Sequence, residues 1–262
     1  MESKRFVSAG TAMMAFSALA FGQADPIAHT SFKFGQAGYH AVVADLSSEH
    51  VSVEAVHSNK LQSFWQLTAP DRPVAAITGT FFNPRCGAPV GDVLVDGALV
   101  ARGERGSVIA VDWNGQCRVF DSGFGQAVDW NDYRYALRGT VRLIRDGKVS
   151  PDPRSQRFRD KAIWGRARRT AAGITKGGKL VMVGTRNAVT LSEVGNAMKS
   201  LGVVDAVNLD GGSSTVMYYR GELLIAPSRK LSNLLVLREQ APTLRVPGGP
   251  NELQLTQRSL KR

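Results

Sequence analysis

The chain has 262 residues, of which 43% are hydrophobic and 21% charged, and its formal net charge is +11. Such values fit a globular protein of one large or two small domains and exclude a disordered or low-complexity chain. The basic balance is not that of a nucleic-acid binder, because Lys and Arg are scattered and no dense basic block with interleaved aromatics occurs; it suits an exported protein that works among anionic polymers.

The N-terminus predicts export. Lys4 and Arg5 precede an uncharged run from Phe6 to Phe21, and Ala18-Leu-Ala20 and Gly22-Gln-Ala24 are both small-x-small cleavage patterns. Residues 1–24 therefore read as a cleavable secretory signal, and the run is short and rich in small residues for a stable membrane anchor. The expected location is periplasmic or secreted. After a lead-in over Ile27–Tyr39, His40–Leu46 and Val51–Val56 read as two strands, and the polar turn Ser47–His50 predicts that they form a hairpin. A short helix is expected within Leu61–Leu67. Val74–Phe82 is an apolar strand broken by Gly79, which marks a bulge or a close approach by another group.

Val93–Gly97 ends in an Asp-Gly turn, and Val108–Val111, Asn114-Gly115 and Cys117–Phe120 read as a hairpin. Gly123–Tyr135 is an aromatic loop, and Ser150–Lys161 an exposed excursion. Arg166-Ala-Arg-Arg169 then leads into a small-residue strand, Thr170-Ala-Ala-Gly173. Those arginines either present guanidinium forks to phosphate or carboxylate oxygens or form a solvated basic edge. Thr190 and Glu193 make a capping box for the clearest helix, with Leu191, Val194, Ala197, Met198 and Leu201 on one face and Gly202 at its end. Four further strands follow, over Val203–Leu209, Thr215–Tyr219, Glu222–Ile225 and Ser232–Leu237, and then a charged tail. The pattern predicts an α+β fold: a single β-rich domain of mixed short strands with few helices over residues 25–240, and a flexible tail over 241–262.

The chain has two cysteines, Cys86 and Cys117. In an oxidising compartment they either pair or remain free thiols, and spacing alone leaves both open. No dinucleotide glycine fingerprint, P-loop or repeat occurs. The four histidines show no metal-ligand spacing, and no cofactor is implied.

One stretch stands apart. Asp205-Ala-Val-Asn-Leu-Asp-Gly-Gly-Ser-Ser-Thr215 runs from an apolar strand into a carboxylate, two glycines and three hydroxyl residues. A carboxylate at a strand end is held rigidly, and loop N–H groups with hydroxyls can receive phosphate or sugar oxygens. The plain alternative is a tight turn in which Asp210 bonds its own backbone.

Together the motifs resemble those of the phosphodiester glycosidase family. The likeness rests on Asn208-Leu-Asp-Gly-Gly-Ser-Ser-Thr215, Arg169-Thr-Ala-Ala-Gly173, Thr78-Gly-Thr-Phe-Phe82, Gly91-Asp-Val-Leu-Val-Asp-Gly97, the Asp146-Gly147 turn and Arg229-Lys-Leu-Ser-Asn233, in family order. Thr78 stands where the family usually has Asn, and Gly184-Thr-Arg186 where Asp-Gly-Arg is frequent. The resemblance implies hydrolysis of the bond between a sugar and a phosphodiester, releasing free sugar and a phosphomonoester from a small or polymeric glycan substrate. Asp210 is then the expected base or nucleophile, with Asp92 as second carboxylate and Glu193 behind it. Arg169 and Arg229 are expected to hold the phosphate, Gly211, Gly212, Ser213 and Ser214 to supply loop contacts, and Thr170 and Asn233 to position them. Two other readings compete. One is a non-catalytic envelope glycan-binding protein on the same fold. The other is a divalent-metal phosphodiesterase that uses Asp210 and Asp92 as oxygen ligands.

Overall fold

The computed structural model describes residues 25–240, so the expected signal segment and C-terminal tail lie outside the described residues. In chain order the strands begin with β1 (Ile27–Phe34), β2 (Ala37–Ala44), β3 (Val51–Gln62) and, after the one-turn helix α1 (Phe64–Leu67), β4 (Ala75–Thr78). Next come β5 (Val93–Val95), β6 (Ala98–Ala101), β7 (Ser107–Asp112), β8 (Cys117–Asp121), β9 (Tyr133–Arg138), β10 (Arg142–Arg145) and β11 (Lys148–Val149). The last third contains α2 (Lys161–Trp164), β12 (Ala167–Thr175), β13 (Leu180–Val189), α3 (Leu191–Ser200), β14 (Val203–Asn208), β15 (Met217–Tyr219), β16 (Glu222–Ile225) and β17 (Leu231–Glu239).

These strands form three antiparallel sheets. A seven-stranded sheet has the order β1-β2-β13-β12-β14-β10-β11, and two five-stranded sheets have the orders β16-β15-β4-β17-β3 and β6-β5-β9-β7-β8. One apolar core joins all three: Ala172, Met182 and Val207 from the first meet Ile77, Met217 and Leu235 from the second and Val93, Ile109 and Leu137 from the third. Strands buried on both faces read as continuous apolar runs, which is why β4, β14 and β17 show little alternation. The far face of the large sheet is covered by α3, whose Val194, Ala197 and Met198 pack on Leu143, Val181 and Val183. That helix starts where Thr190 accepts from the Glu193 N–H and the Glu193 carboxylate accepts from the Thr190 N–H, as the capping box predicts. The second sheet is capped by α1, through Phe64 and Leu67 against Tyr218 and Val236.

Several expectations need correction. The predicted pairing of His40–Leu46 with Val51–Val56 does not form: β2 pairs with β1 and β13, while β3 lies in another sheet against β17. The segment read as a lead-in is the true hairpin partner of β2. Its side chains are mostly half-buried, so it lacks the strong alternation that would have announced it. The Arg166–Arg169 approach does not lead into an edge strand either, because β12 is central, between β13 and β14, although Arg166 and Arg168 are exposed. The α+β label fits loosely, since two of the three α-helices among the described residues are a single turn long. Cys86 is exposed on a loop and Cys117 is buried in β8, both as free thiols, so no disulfide joins them. Among the described residues no helix is long and apolar enough to cross a membrane.

Candidate active site

The end of β14 and the end of β4 come together at Asp210. Its N–H donates to the Gly79 carbonyl at 3.0 Å, and the Leu209 N–H donates to the Thr170 carbonyl at 2.9 Å. The Thr170 hydroxyl in turn donates to the Asp210 carbonyl. Thr78 completes the frame: its hydroxyl donates to the Ser214 carbonyl at 2.7 Å and accepts from the Val216 N–H at 2.9 Å. The loop after Asp210 is thereby fixed at both ends by buried threonines. Gly211 is required by close approach, because a Cβ there would lie 2.4 Å from the Arg168 carbonyl. Residues Gly212–Ser214 then form a single 3₁₀ turn.

The Asp210 side chain is only 4% exposed. It accepts from Arg229 Nη2 at 3.1 Å, from the Ser214 hydroxyl and from the Gly211 N–H. Arg229 Nε also donates to Ser214 Oγ at 2.6 Å, and its guanidinium lies 4.6 Å over the Phe82 ring. Burial pushes the Asp210 carboxyl up to about 6, although the Ser214 hydroxyl, the Arg229 charge and the Gly211 N–H all pull the other way. A carboxyl near neutrality, in contact with a guanidinium that remains 30% exposed, is an unusual arrangement for a purely structural turn.

The remaining sequence candidates fall in different places. Asp92 is buried in an ion pair with Arg138, whose Nε donates to its Oδ2 at 2.6 Å, while the Gly103 N–H donates to Oδ1 at 2.7 Å. Both its oxygens are thus committed. Glu193 serves the capping box and an exposed bidentate pair with Arg166. Arg169 is buried, and its guanidinium donates to the carbonyls of Gly165 at 2.6 Å and Ile163 at 3.1 Å. It braces the chain behind Thr170. Asn233 holds Thr80 from both sides, accepting from its N–H at 2.6 Å and donating to its carbonyl at 3.1 Å. Ser213 is exposed, and its carbonyl accepts from the Ser228 N–H at 2.9 Å. Asp210, Gly211, Ser214 and Arg229 therefore converge, Thr170 and Asn233 frame them, and Asp92, Glu193 and Arg169 are occupied elsewhere.

Sequence reasoning missed Phe82 as the platform of Arg229 and Arg138 as the partner of Asp92. The Phe81-Phe82 pair inside a motif was the available signal for the first. The second pairs residues 46 apart and left no local trace. At the Gly184 departure a Cβ would lie 3.1 Å from Ile225 Cδ1 and 3.4 Å from Met217 Sδ, and Gly184 is the cross-strand partner of Thr170. Among the described residues no three His, Cys, Asp or Glu side chains gather as a metal site.

The β-rich fold closes here around one buried carboxylate and a partly exposed arginine. The family profile of the phosphodiester glycosidases matches residues 71–238, which is more than half of the chain, and the chain belongs to that family. No curated protein matches it. The fold is shared with the catalytic domain of zebrafish N-acetylglucosamine-1-phosphodiester alpha-N-acetylglucosaminidase, auto-inhibited by its pro-peptide, at TM-score 0.70 and 20% identity over 83% of this chain and 85% of that one. A hypothetical protein from Synechocystis is similar at TM-score 0.62 and 16% identity, over 82% and 62% of the two chains. A Burkholderia pseudomallei protein whose name calls it exported is similar at TM-score 0.54 and 16% identity, over 77% and 74%.

Proposed function

We propose that this chain is an exported hydrolase that cleaves the bond between an anomeric carbon and a phosphodiester, releasing free sugar and a phosphomonoester. The observation that carries the proposal is the buried Asp210 carboxyl, raised to about 6 and held against Arg229, Ser214 and the Gly211 N–H. A phosphate departs as an anion, so its oxygen needs charge stabilisation more than a proton. That removes the need for the second carboxyl of an ordinary glycosidase pair and fits the commitment of Asp92 to Arg138.

In this scheme the C1–O bond breaks and its electron pair leaves on the phosphate oxygen. Positive charge develops on the sugar ring, and the Asp210 carboxylate faces it. The ionised carboxylate then either takes a proton from the water that adds to C1 or bonds C1 directly and is displaced by water. Arg229 has five N–H donors, of which Asp210 and Ser214 engage two, and its exposed edge is left for phosphate oxygens. The glycan-binding alternative drew on the missing carboxylate at Gly184, where an added side chain would meet Ile225 and Met217.

The test is product analysis with sugar-1-phosphodiesters, wild type beside Asp210→Asn. Free sugar and phosphomonoester from the wild type, with a loss of three orders of magnitude or more in the variant, is the expected result (roughly the scale of a reacting group). Product anomer configuration separates the direct-bond route from the water route. A sugar phosphate as product would refute the bond assignment.

A further inference from the structure

A second surface carries its own chemistry. Phe124 is 45% exposed, yet two guanidinium groups lie over its ring, Arg157 at 4.4 Å and Arg105 at 5.3 Å. Arg105 Nη1 donates to the Arg157 carbonyl at 3.0 Å, which ties the two arginines together. Next to them Trp164 is 44% exposed, with the Arg154 guanidinium 5.7 Å from its ring and its indole N–H donating to the Phe158 carbonyl at 3.0 Å. Arg157 is held at φ 60, in the left-handed region that a side chain of its type rarely adopts. A recess of about 130 Å³ opens beside Phe124, lined also by Ser122, Ser155 and Gln156. The carboxylate in its wall, Asp121, is paired with Arg142 and Arg145, and Glu104 is highly exposed at 4.0 Å from Arg105. The charge that reaches solvent here is therefore mainly positive.

Backbone contacts link this surface to the Asp210 loop. Gly106 follows Arg105 and is pressed against the carbonyls of Gly139 and Thr140, and the Thr140 N–H donates to the Asn208 carbonyl, two residues before Asp210. Trp164 ends α2, and the carbonyls of Ile163 and Gly165 on either side of it are held by Arg169, which precedes Thr170 and its bond to Asp210.

We propose that Arg105, Arg154 and Arg157, arranged on Phe124 and Trp164, bind further repeats of an anionic glycan, so that the phosphodiester cut at Asp210 belongs to a polymer. This rests on the proposed function and extends it to the substrate class. Guanidinium forks fixed on rings present their N–H groups to phosphate or carboxylate oxygens. The ring faces beneath them are occupied by the arginines, and stacked nucleic-acid bases would need those faces open.

The experiment compares hexose-1-phosphate oligomers of one, three and six repeats as substrates for the wild type and for Arg105→Ala/Arg157→Ala, with circular-dichroism melting to show that both fold. The expected wild-type KM falls at least tenfold from one repeat to six, and the double variant loses that dependence while turning over the single-repeat substrate normally. A KM independent of length in the wild type, or an unchanged dependence in the variant, overturns the proposal. Calorimetric titration with the six-repeat oligomer reads the surface without turnover. Binding that the double variant loses supports the assignment even if no substrate is cleaved, in which case the proposed activity alone has failed. Binding of single-stranded DNA of equal charge as tightly as the glycan overturns it.

Discussion

Replacing Asp210 with Asn tests the electrostatic balance on which the site depends. Burial raises the carboxyl from 3.8 to about 6 in the folded protein. Below about pH 4 both the folded and unfolded forms are protonated, and ionisation of Asp210 makes no difference to stability. Between about pH 4 and pH 6 the unfolded chain releases its proton first, so stability falls as pH rises. Above about pH 6 both forms are ionised and the loss is complete, at about 3 kcal/mol for a shift of about 2 units. Asn has nearly the same shape and cannot ionise. The wild type minus Asp210→Asn stability difference should therefore decline by about 3 kcal/mol from about pH 3.5 to about pH 8. Any constant contribution from altered hydrogen bonds drops out of that difference. Urea titrations of both proteins across this range measure it. A difference that grows with pH would refute the reasoning, because it would mean that Arg229, Ser214 and the Gly211 N–H outweigh burial and hold the carboxyl below its usual value. The same titration should appear in catalysis, with kcat/KM rising through about pH 6 as the carboxylate forms.

Other changes separate the site from its supports. Asp92→Asn leaves the Arg138 charge buried against a neutral partner and should cost about 3–5 kcal/mol in urea unfolding, with the KM of the remaining folded protein unchanged. Glu193→Ala removes half of the capping box and should cost about 1 kcal/mol while leaving kcat/KM alone; a large kinetic loss would return Glu193 to the site. Gly79→Ala would place a Cβ 2.1 Å from Asn233 Oδ1, so the Asn233–Thr80 latch must open and Asp210, bonded to the Gly79 carbonyl, must shift. A fall of roughly tenfold to a hundredfold in kcat is expected, read against an unchanged circular-dichroism spectrum.

Local signals were the legible ones. The Thr190–Glu193 box, the α3 apolar face and the apolar runs of β4, β14 and β17 are each written within a dozen residues, and each appears in the structure. Partner choice between sheets was not legible. The polar turn after β2 suits a hairpin, but Ala41 and Val43 pair with β13, about 140 residues away, because the seven-stranded sheet needs them there. The same limit applies to the site. Asp210, Ser214 and the glycines lie in one motif, whereas the fates of Asp92 and Arg169 depended on Arg138 and on the carbonyls around α2. An Arg or Asp in a motif reports that a charge is needed near a place, and only the fold says whether it faces the ligand or the backbone.

That distinction bears on how one carboxylate can suffice. Asp92 next to Arg138 and Arg169 among carbonyls are fully engaged polar groups that hold the loops still, and buried charges of that kind are tolerated because each is paired or hydrogen-bonded. Asp210 and Arg229 differ in having capacity left: the arginine is 30% exposed on its outer side, and Phe82 fixes its plane at 4.6 Å without consuming a donor. In the proposed reaction, the same guanidinium that lowers the cost of the Asp210 charge would bind the phosphate oxygens, and its pull on the carboxylate would weaken. The carboxylate would then be more basic at the moment positive charge develops on the sugar. Arg229→Lys keeps the charge but loses the planar fork and the stacking, so it should lower kcat as well as raise KM. An effect on KM alone would show that Arg229 only binds, and that the basicity of Asp210 is set without it.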